Sequence, residues 1–218
     1  MSAAGQRDAQ INSAGTSGAS VIEAAFAASR PQSGLRWLDV GCGTGDFLRA
    51  VRDRCSPARL AGIDVIDWLA EDLRDDVELV TTPAEDMPAD SAFDRVVLLE
   101  CMEHLDAPWS VLRRAAGYVV PGGAIVVTTP NIATLRSRLD LAVRGQLTSF
   151  RASNLPHLGP IMPHVTRRVL EAEGFTVGET SYAMDDVVPL TGGRAWPASV
   201  AARFPSLLRI STVVVGTR

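Results

Sequence analysis

The sequence predicts an α/β fold built on a doubly wound sheet of seven strands, mostly parallel, with an antiparallel C-terminal strand. Three observations carry this. From Leu35 onward, short apolar runs alternate with stretches of helical periodicity, the pattern of parallel strands joined by right-handed crossovers. The first run stops at three glycines spaced two apart (Gly41, Gly43, Gly45), directly before a helical pattern. The C-terminal third then breaks the alternation, with two strand-like runs and no clear helix pattern between them, as expected of a sheet finished antiparallel.

Taken in order, residues 1–20 are rich in Ser, Gly and Ala and read as a flexible arm, leaving 21–218 as a single domain. Val21 to Ser29 reads as a short helix ending before Pro31. Strands are expected at 35–40, 59–63, 77–81, 93–99 and 124–129, and helices at 45–54, 66–74, 108–118 and 165–173. Val120-Pro121-Gly122-Gly123 reads as a helix-ending turn before the fifth strand. The last strands are placed at 175–182 and 208–216. Between these elements, 131–164 holds an Arg-rich helical stretch and a loop with Pro and His. Residues 183–206 are loop-rich, with Gly192-Gly193 and Trp196. Both segments are expected to be insertions on the substrate side.

Composition narrows the chemistry. The 218 residues are 46% hydrophobic with a net charge of −4, an ordinary globular balance and too acidic for sequence-independent phosphate binding. All basic residues are arginine. Without lysine there is no Walker-A phosphate loop, no Schiff base and no pyridoxal phosphate attachment. Cys42, Cys55 and Cys101 are widely spaced and lack a C-x-x-C, so neither a zinc motif nor a disulfide framework is expected, and no metal is assigned. No signal-like segment or membrane-length apolar run is evident, and a reducing cytoplasm is the expected compartment.

The spacing of the glycine turn is the sharpest local clue. A dinucleotide fingerprint needs G-x-G-x-x-G, and its third glycine would fall at Asp46. An acidic side chain there opposes a pyrophosphate, which disfavours a nicotinamide dehydrogenase. Asp39 in the strand instead suits a ligand carrying positive charge. In an open parallel sheet the ligand lies beyond the carboxyl ends of the strands, at the switch point. The second strand ends there at Asp64, about twenty residues after the turn, where a carboxylate accepts hydrogen bonds from ribose hydroxyls. A helix N-cap is the purely structural reading of Asp64.

Five motifs follow in order: LDVGCGTG from Leu38, GIDV from Gly62, AEDMP from Ala84, FDRVVLLECMEHL from Phe93, and VVPGGAIVVTTPN from Val119. Together they resemble the class I S-adenosylmethionine-dependent methyltransferases, in their small-molecule methyltransferase-domain branch, whose fold is Rossmann-like. Weaker similarity continues from Thr166 to Phe175. The resemblance implies S-adenosylmethionine as cofactor and S-adenosylhomocysteine as product. It implies that Gly41, Cys42 and Gly43 pack against the methionine part, with Asp39 orienting its amino group. Asp64 would then bind the ribose, Val65 lie against the adenine, Ala84 and Glu85 sit at the adenine edge, and Leu99 near the methionine. Many relatives carry an acidic residue where this chain has Pro83, so the adenine amino contact is expected to move to Glu85 or Asp86.

Methyl transfer from a sulfonium is an in-line displacement in which proximity supplies most of the rate. A base is needed only for a hydroxyl or a protonated amine. The candidates are His157 and His104, with Glu100 and His164 further possibilities. Their structural readings are a local helix start for His104 and, for His164, a position just before Thr166 as N-cap of the next helix. The expected acceptor is a small molecule methylated on O or N rather than C. Arg136, Arg138, Arg144 and Arg151 raise an anionic acceptor as one reading and a solvated helix face as the other. A nucleic-acid or protein methyltransferase of the same fold, and a non-catalytic S-adenosylmethionine-binding protein, are the alternatives. The fourth strand lacks the Asn/Asp-Pro-Pro-aromatic ending that marks DNA-amino methylation in the family, and the net acidity also argues against nucleic acid.

Overall fold

The structure is a computed structural model that describes residues 18–86, 92–154, 156–188, 191 and 193–218. Most of the expected N-terminal arm lies outside the described residues, and residues 19 and 20 belong to the first helix. The elements in chain order are α1 (Ala19–Ala28), β1 (Arg36–Val40), α2 (Asp46–Cys55), β2 (Arg59–Asp64), β3 (Glu78–Thr81) and β4 (Phe93–Leu99). There follow α3 (Pro108–Gly117), β5 (Val119–Pro130), α4 (Leu135–Arg144), α5 (Pro163–Ala172), β6 (Thr176–Val177), β7 (Ser181–Asp185), α6 (Ala198–Arg203), α7 (Pro205–Leu208) and β8 (Arg209–Thr217).

One sheet of eight strands runs β3-β2-β1-β4-β5-β8-β6, with β7 also paired to β8. The first five are parallel; β8 is antiparallel to β5, and β6 and β7 are antiparallel to β8. The eight strands fill seven seats. β6 and β7 lie along the same edge of β8, with Thr176 opposite Thr217 and Ser181 opposite Val213, a one-residue change of register between them. The single strand expected at 175–182 is thus two pieces.

Period-2 alternation sends successive side chains to two cores. Leu38 and Val40 of β1 and Val96 and Leu98 of β4 face α3 and α5, meeting Val111, Leu112, Ala115 and Leu170. Trp37 and Val97 face the other way, toward Ile22 and Ala25 of α1 and Phe47, Leu48 and Val51 of α2. Asp39 shares the parity of Trp37, so a carboxyl points into the face that α1 and α2 cover. Arg95 ties α1 to the sheet by donating from Nε to the Ser29 carbonyl at 2.5 Å.

Three local expectations are corrected. Residues 66–74 do not form a helix; only Glu71–Leu73 makes a 3₁₀ turn. Asp64 and Asp67 side chains accept from the Ile66 and Leu69 amides, and the Ala70 amide bonds the Thr44 carbonyl at 3.2 Å, so local competitors consume the donors a helix needs. Val120 to Gly123 lies inside the long β5, where the register with β4 jumps from Phe93/Val119 to Arg95/Ala124. Between β7 and β8 the chain forms the short α6 and α7, which its irregular composition did not announce.

Candidate active site

The sheet order reverses between β1 and β4, and the loops leaving β1, β2, β4 and β5 converge at that end. Gly41, Gly43 and Gly45 have φ of 77°, 51° and 85°, all left-handed, which is why the turn is built on glycine. Two of them also answer to the protein's own packing. A Cβ on Gly41 would lie 2.7 Å from Cys101 Sγ, and one on Gly45 2.5 Å from Leu73 Cδ1.

Asp64 is the anchor of this turn. Its Oδ2 accepts from the Gly43 amide at 2.8 Å and its Oδ1 from the Ile66 amide at 3.3 Å. It caps no helix; the N-cap reading gives way to a bridge between the ends of β1 and β2, with lone pairs left over for a ligand. Asp39 is 3% exposed and its Oδ1 has no hydrogen-bond partner. Burial, and then the charge of Asp64, push its carboxyl up to about 8. A buried carboxyl oxygen without a partner is open to a ligand's donor. Cys42 is buried, and burial holds its thiol far above the ordinary range, so it packs rather than reacts.

The remaining expected cofactor residues line the same end. Leu99, the last residue of β4, and Ala84, which opens the 3₁₀ turn Ala84–Asp86, are buried, whereas Val65 is 45% exposed. The side chain of Glu85 lies outside the described residues.

On the other side of the switch point sits a cluster that the sequence only hinted at. Glu100 follows β4 with φ 49°, and its amide donates to the carbonyl and hydroxyl of Thr128. Such left-handed strain on a non-glycine residue concentrates at functional sites. Burial raises the Glu100 carboxyl to about 7 against the pull of the Thr128 and Ser211 hydroxyls, and its Oε1 is unpartnered. Glu103 is 1% exposed with neither carboxyl oxygen hydrogen-bonded; burial and the Glu100 charge hold it well above the usual carboxylate range.

His104 ends the 3₁₀ turn Met102–His104 rather than starting a helix, and its Nδ1 lies 3.0 Å from the Pro156 carbonyl. His157 arrives from the loop before α5. Its Nδ1 lies 2.7 Å from the Ser149 carbonyl, and its ring packs edge-on to His104 with centroids 4.8 Å apart. The Leu158 amide pins that loop to the Glu103 carbonyl at 2.8 Å. Burial lowers both imidazoles below the ordinary histidine value, His104 also through its neighbour His157. One ligand atom each from Glu103, His104 and His157 lie within 4.8 Å of one another, a grouping suited to a cation where none was assigned.

The structure therefore brings His104 and His157 together and leaves His164 out. His164 is exposed in the first turn of α5, whose N-cap is Met162; Thr166 lies inside the helix. The Glu103–His157 pairing had no periodic signal, because it crosses about half a hundred residues of chain. The arginines of 131–164 are engaged elsewhere. Arg144 and Arg151 both pair with Asp140, Arg138 donates to the Ala133 carbonyl, and Arg136 lies 4.0 Å from Asp186.

Comparison with known proteins bears on the family and the fold. The profile of a family described as a methyltransferase domain matches residues 19–180. A ubiquinone biosynthesis O-methyltransferase of Stutzerimonas stutzeri (strain A1501) is 33% identical over 108 residues, covering 45% of this chain and 46% of that protein. The chain thus spans about half the length of the curated relatives it matches. Two solved structures share the fold. One is a chain of the complex between the Haloferax volcanii Trm112 methyltransferase activator and a methyltransferase (TM-score 0.67, 20% identity, covering 90% of this chain and 88% of that one). The other is an S-adenosylmethionine-dependent methyltransferase from Archaeoglobus fulgidus (TM-score 0.62, 19% identity, 90% and 94%). With three-quarters of its length matched by that profile, the chain belongs to the methyltransferase-domain family.

Proposed function

We propose that this protein transfers a methyl group from S-adenosylmethionine to an oxygen or nitrogen of a small-molecule acceptor. The observation that carries the reading is the buried, unpartnered Asp39 carboxyl beside a left-handed glycine turn anchored by Asp64. Those groups suit the cofactor: an anionic, phosphate-free cradle for a ligand with an ammonium, a sulfonium and a ribose. Asp39 would hold the amino group, Asp64 the ribose, and Gly41, Cys42, Gly43 and Leu99 the methionine part. Val65, Ala84 and Glu85 would take the adenine.

The cofactor supplies an electrophilic methyl group, so the protein's tasks are alignment, exclusion of water and removal of a proton. The acceptor enters from the side of Glu100, Glu103, His104 and His157. Each histidine, by donating its Nδ1 hydrogen to a backbone carbonyl, keeps an unprotonated Nε2, the form a general base needs. The segments 131–164 and 183–206 would shape the acceptor pocket. Similarity to a ubiquinone biosynthesis O-methyltransferase supports an oxygen acceptor. The pairing of Arg144 and Arg151 with Asp140 weakens the case for an anionic one. No helix among the described residues is long and apolar enough to cross a membrane, and the cytoplasm is the proposed compartment.

The test is calorimetry with S-adenosylmethionine as a function of pH. Asp39 holds its proton up to about 8 in the free protein, against about 3.9 for an ordinary Asp. The folded state therefore binds the extra proton across that window, and the free protein loses stability as pH rises through it. A cation that needs the ionised carboxylate binds more tightly as pH rises from 6 toward 8, by up to about tenfold per unit. Asp39→Asn should flatten both trends and weaken binding. Binding that is independent of pH in the parent protein would remove Asp39 from the site. A panel of hydroxyl and amine acceptors, read by S-adenosylhomocysteine release, then separates an enzyme from a cofactor-binding protein.

A further inference from the structure

Helix α4 is amphipathic in reverse. Its large apolar residues Leu139, Leu141 and Val143 are exposed, Val143 by 81%. Its one buried residue is Ser137, and the Asp140 side chain is only 13% exposed. A surface helix ordinarily turns its apolar stripe inward. Here Ser137 and Asp140, three residues apart and so on one face, point inward instead.

Against that polar face lies the loop that carries His157. The described residues from 145 to 160 contain no helix or strand and none is buried, so no apolar core gives the loop its shape. Hydrogen bonds do. The Thr148 amide donates to Ser137 Oγ at 3.3 Å, the Thr148 hydroxyl to Asp140 Oδ2 at 2.7 Å, and the Arg151 guanidinium to the same Oδ2. The Thr148 hydroxyl, then Arg151 and Arg144, hold the Asp140 carboxyl below the usual carboxylate range, so their shared acceptor is charged.

Those two contacts bracket one peptide, because Thr148 precedes Ser149 and Arg151 follows two residues later. The Ser149 carbonyl meets His157 Nδ1 and Asn154 Nδ2, each at 2.7 Å. A carbonyl can only accept, so His157 carries its hydrogen on Nδ1 and keeps a lone pair on Nε2. Asn154 Nδ2 also lies 3.1 Å from that same nitrogen. Were the carbonyl to move away, this amide would donate to Nδ1 and the ring hydrogen would pass to Nε2. The ring would then offer the acceptor a donor where a base must offer a lone pair.

We propose that Asp140 is a positioning residue: by fixing the Ser149 carbonyl through Thr148 and Arg151, it selects the His157 tautomer with a free Nε2. Phe150, the residue after Ser149, packs on the same ring with centroids 5.2 Å apart and helps to set its direction. The inference rests on the methyltransferase reading for the use of Nε2 as a base; the tautomer does not depend on it.

The experiment is two-bond 1H–15N correlation of the imidazoles in 15N-labelled full-length protein at pH 8. Burial lowers His104 and His157 below the ordinary histidine value, so both are neutral there, and His157→Gln assigns the signal. The parent should show His157 with its hydrogen on Nδ1. Asp140→Ala should move that hydrogen to Nε2 or divide it between the two nitrogens, and Thr148→Val should do so in part. Arg144→Met, which removes only the more exposed ion pair, should leave the tautomer unchanged. With an acceptor from the hydroxyl and amine panel, Asp140→Ala should lower kcat about 10- to 100-fold, the scale of a misplacement of about 1 Å, at unchanged KM for the cofactor. S-adenosylhomocysteine calorimetry checks that each variant is folded, and Thr148→Val carries the test if Asp140→Ala is not. A parent ring with its hydrogen on Nε2, an unmoved tautomer in the folded variants, or a moved tautomer with unchanged kcat would each overturn the proposal. So would an Arg144→Met variant that behaves like Asp140→Ala. A parent that releases no S-adenosylhomocysteine over the whole panel sinks the methyltransferase reading alone, because the tautomer is read without turnover.

Discussion

The turn after β1 and the loop that carries His157 serve the same end of the sheet, yet they are built differently. In the turn, backbone does the work: three left-handed glycines, the Gly41 and Cys42 amides both bonded to the Ile63 carbonyl, and Asp64 clamping Gly43. In the His157 loop, side chains do it. Asp140 gathers Thr148, Arg144 and Arg151; Asn154 and His157 share the Ser149 carbonyl; Phe150 packs on the His157 ring. A backbone-built cradle suits the proposed cofactor, which it would grip without depending on particular side chains. A side-chain-built wall can be exchanged residue by residue, which suits an acceptor that differs between enzymes.

The sharpest way to break that contrast is at the turn. Gly41→Ala forces a side chain into φ 77° and within 2.7 Å of Cys101 Sγ, itself buried and short. The combined cost should be about 2–4 kcal/mol in urea unfolding. A loss under half that would mean the turn tolerates side chains and is not a backbone cradle. Next comes Asp64→Ala, expected to weaken S-adenosylmethionine binding by roughly 1.5–3 kcal/mol. Asp64→Asn retains an acceptor for the Gly43 amide and so separates anchoring from ribose contact; unchanged affinity in both would place the ribose elsewhere. The smallest effect belongs to the His157 loop. Asp140→Ala should cost about 1–2 kcal/mol of stability, since it loses the part-buried Thr148 and Arg151 contacts while the pair with the exposed Arg144 adds little. Hydrogen exchange should show the loss confined to the 144–157 loop, with cofactor affinity retained. If cofactor affinity falls with it, the two regions are not independent.

Much of the fold was legible because it is written in short-range pattern. The first four strands and the helices at α2, α3 and α5 were placed within two residues, and the fifth strand in its C-terminal half, since apolar periodicity of 2 or 3.6 is a local property. Where that reading failed, side chains competed with backbone. Asp64 and Asp67 diverted the amides of 66–69, and the 66–74 helix did not form. The switch-point logic placed Asp39 and Asp64 beside the glycine turn. It could not show that Asp64 holds Gly43, or that Asp39 is left without a partner.

The sequence by itself determined the parallel part of the sheet, the position of the glycine turn and the acidic character of the end of the sheet beside it. Each of these depends on residues close together in the chain or on the order of strands. Only the tertiary structure decided the histidine cluster: that His157 closes on His104 while His164 stays in solvent, and that Glu103 is buried with neither carboxyl oxygen hydrogen-bonded. Those facts depend on which loops meet across the switch point. Burial, which shifts the carboxyls and imidazoles from their ordinary values, exists only once the chain has packed around them.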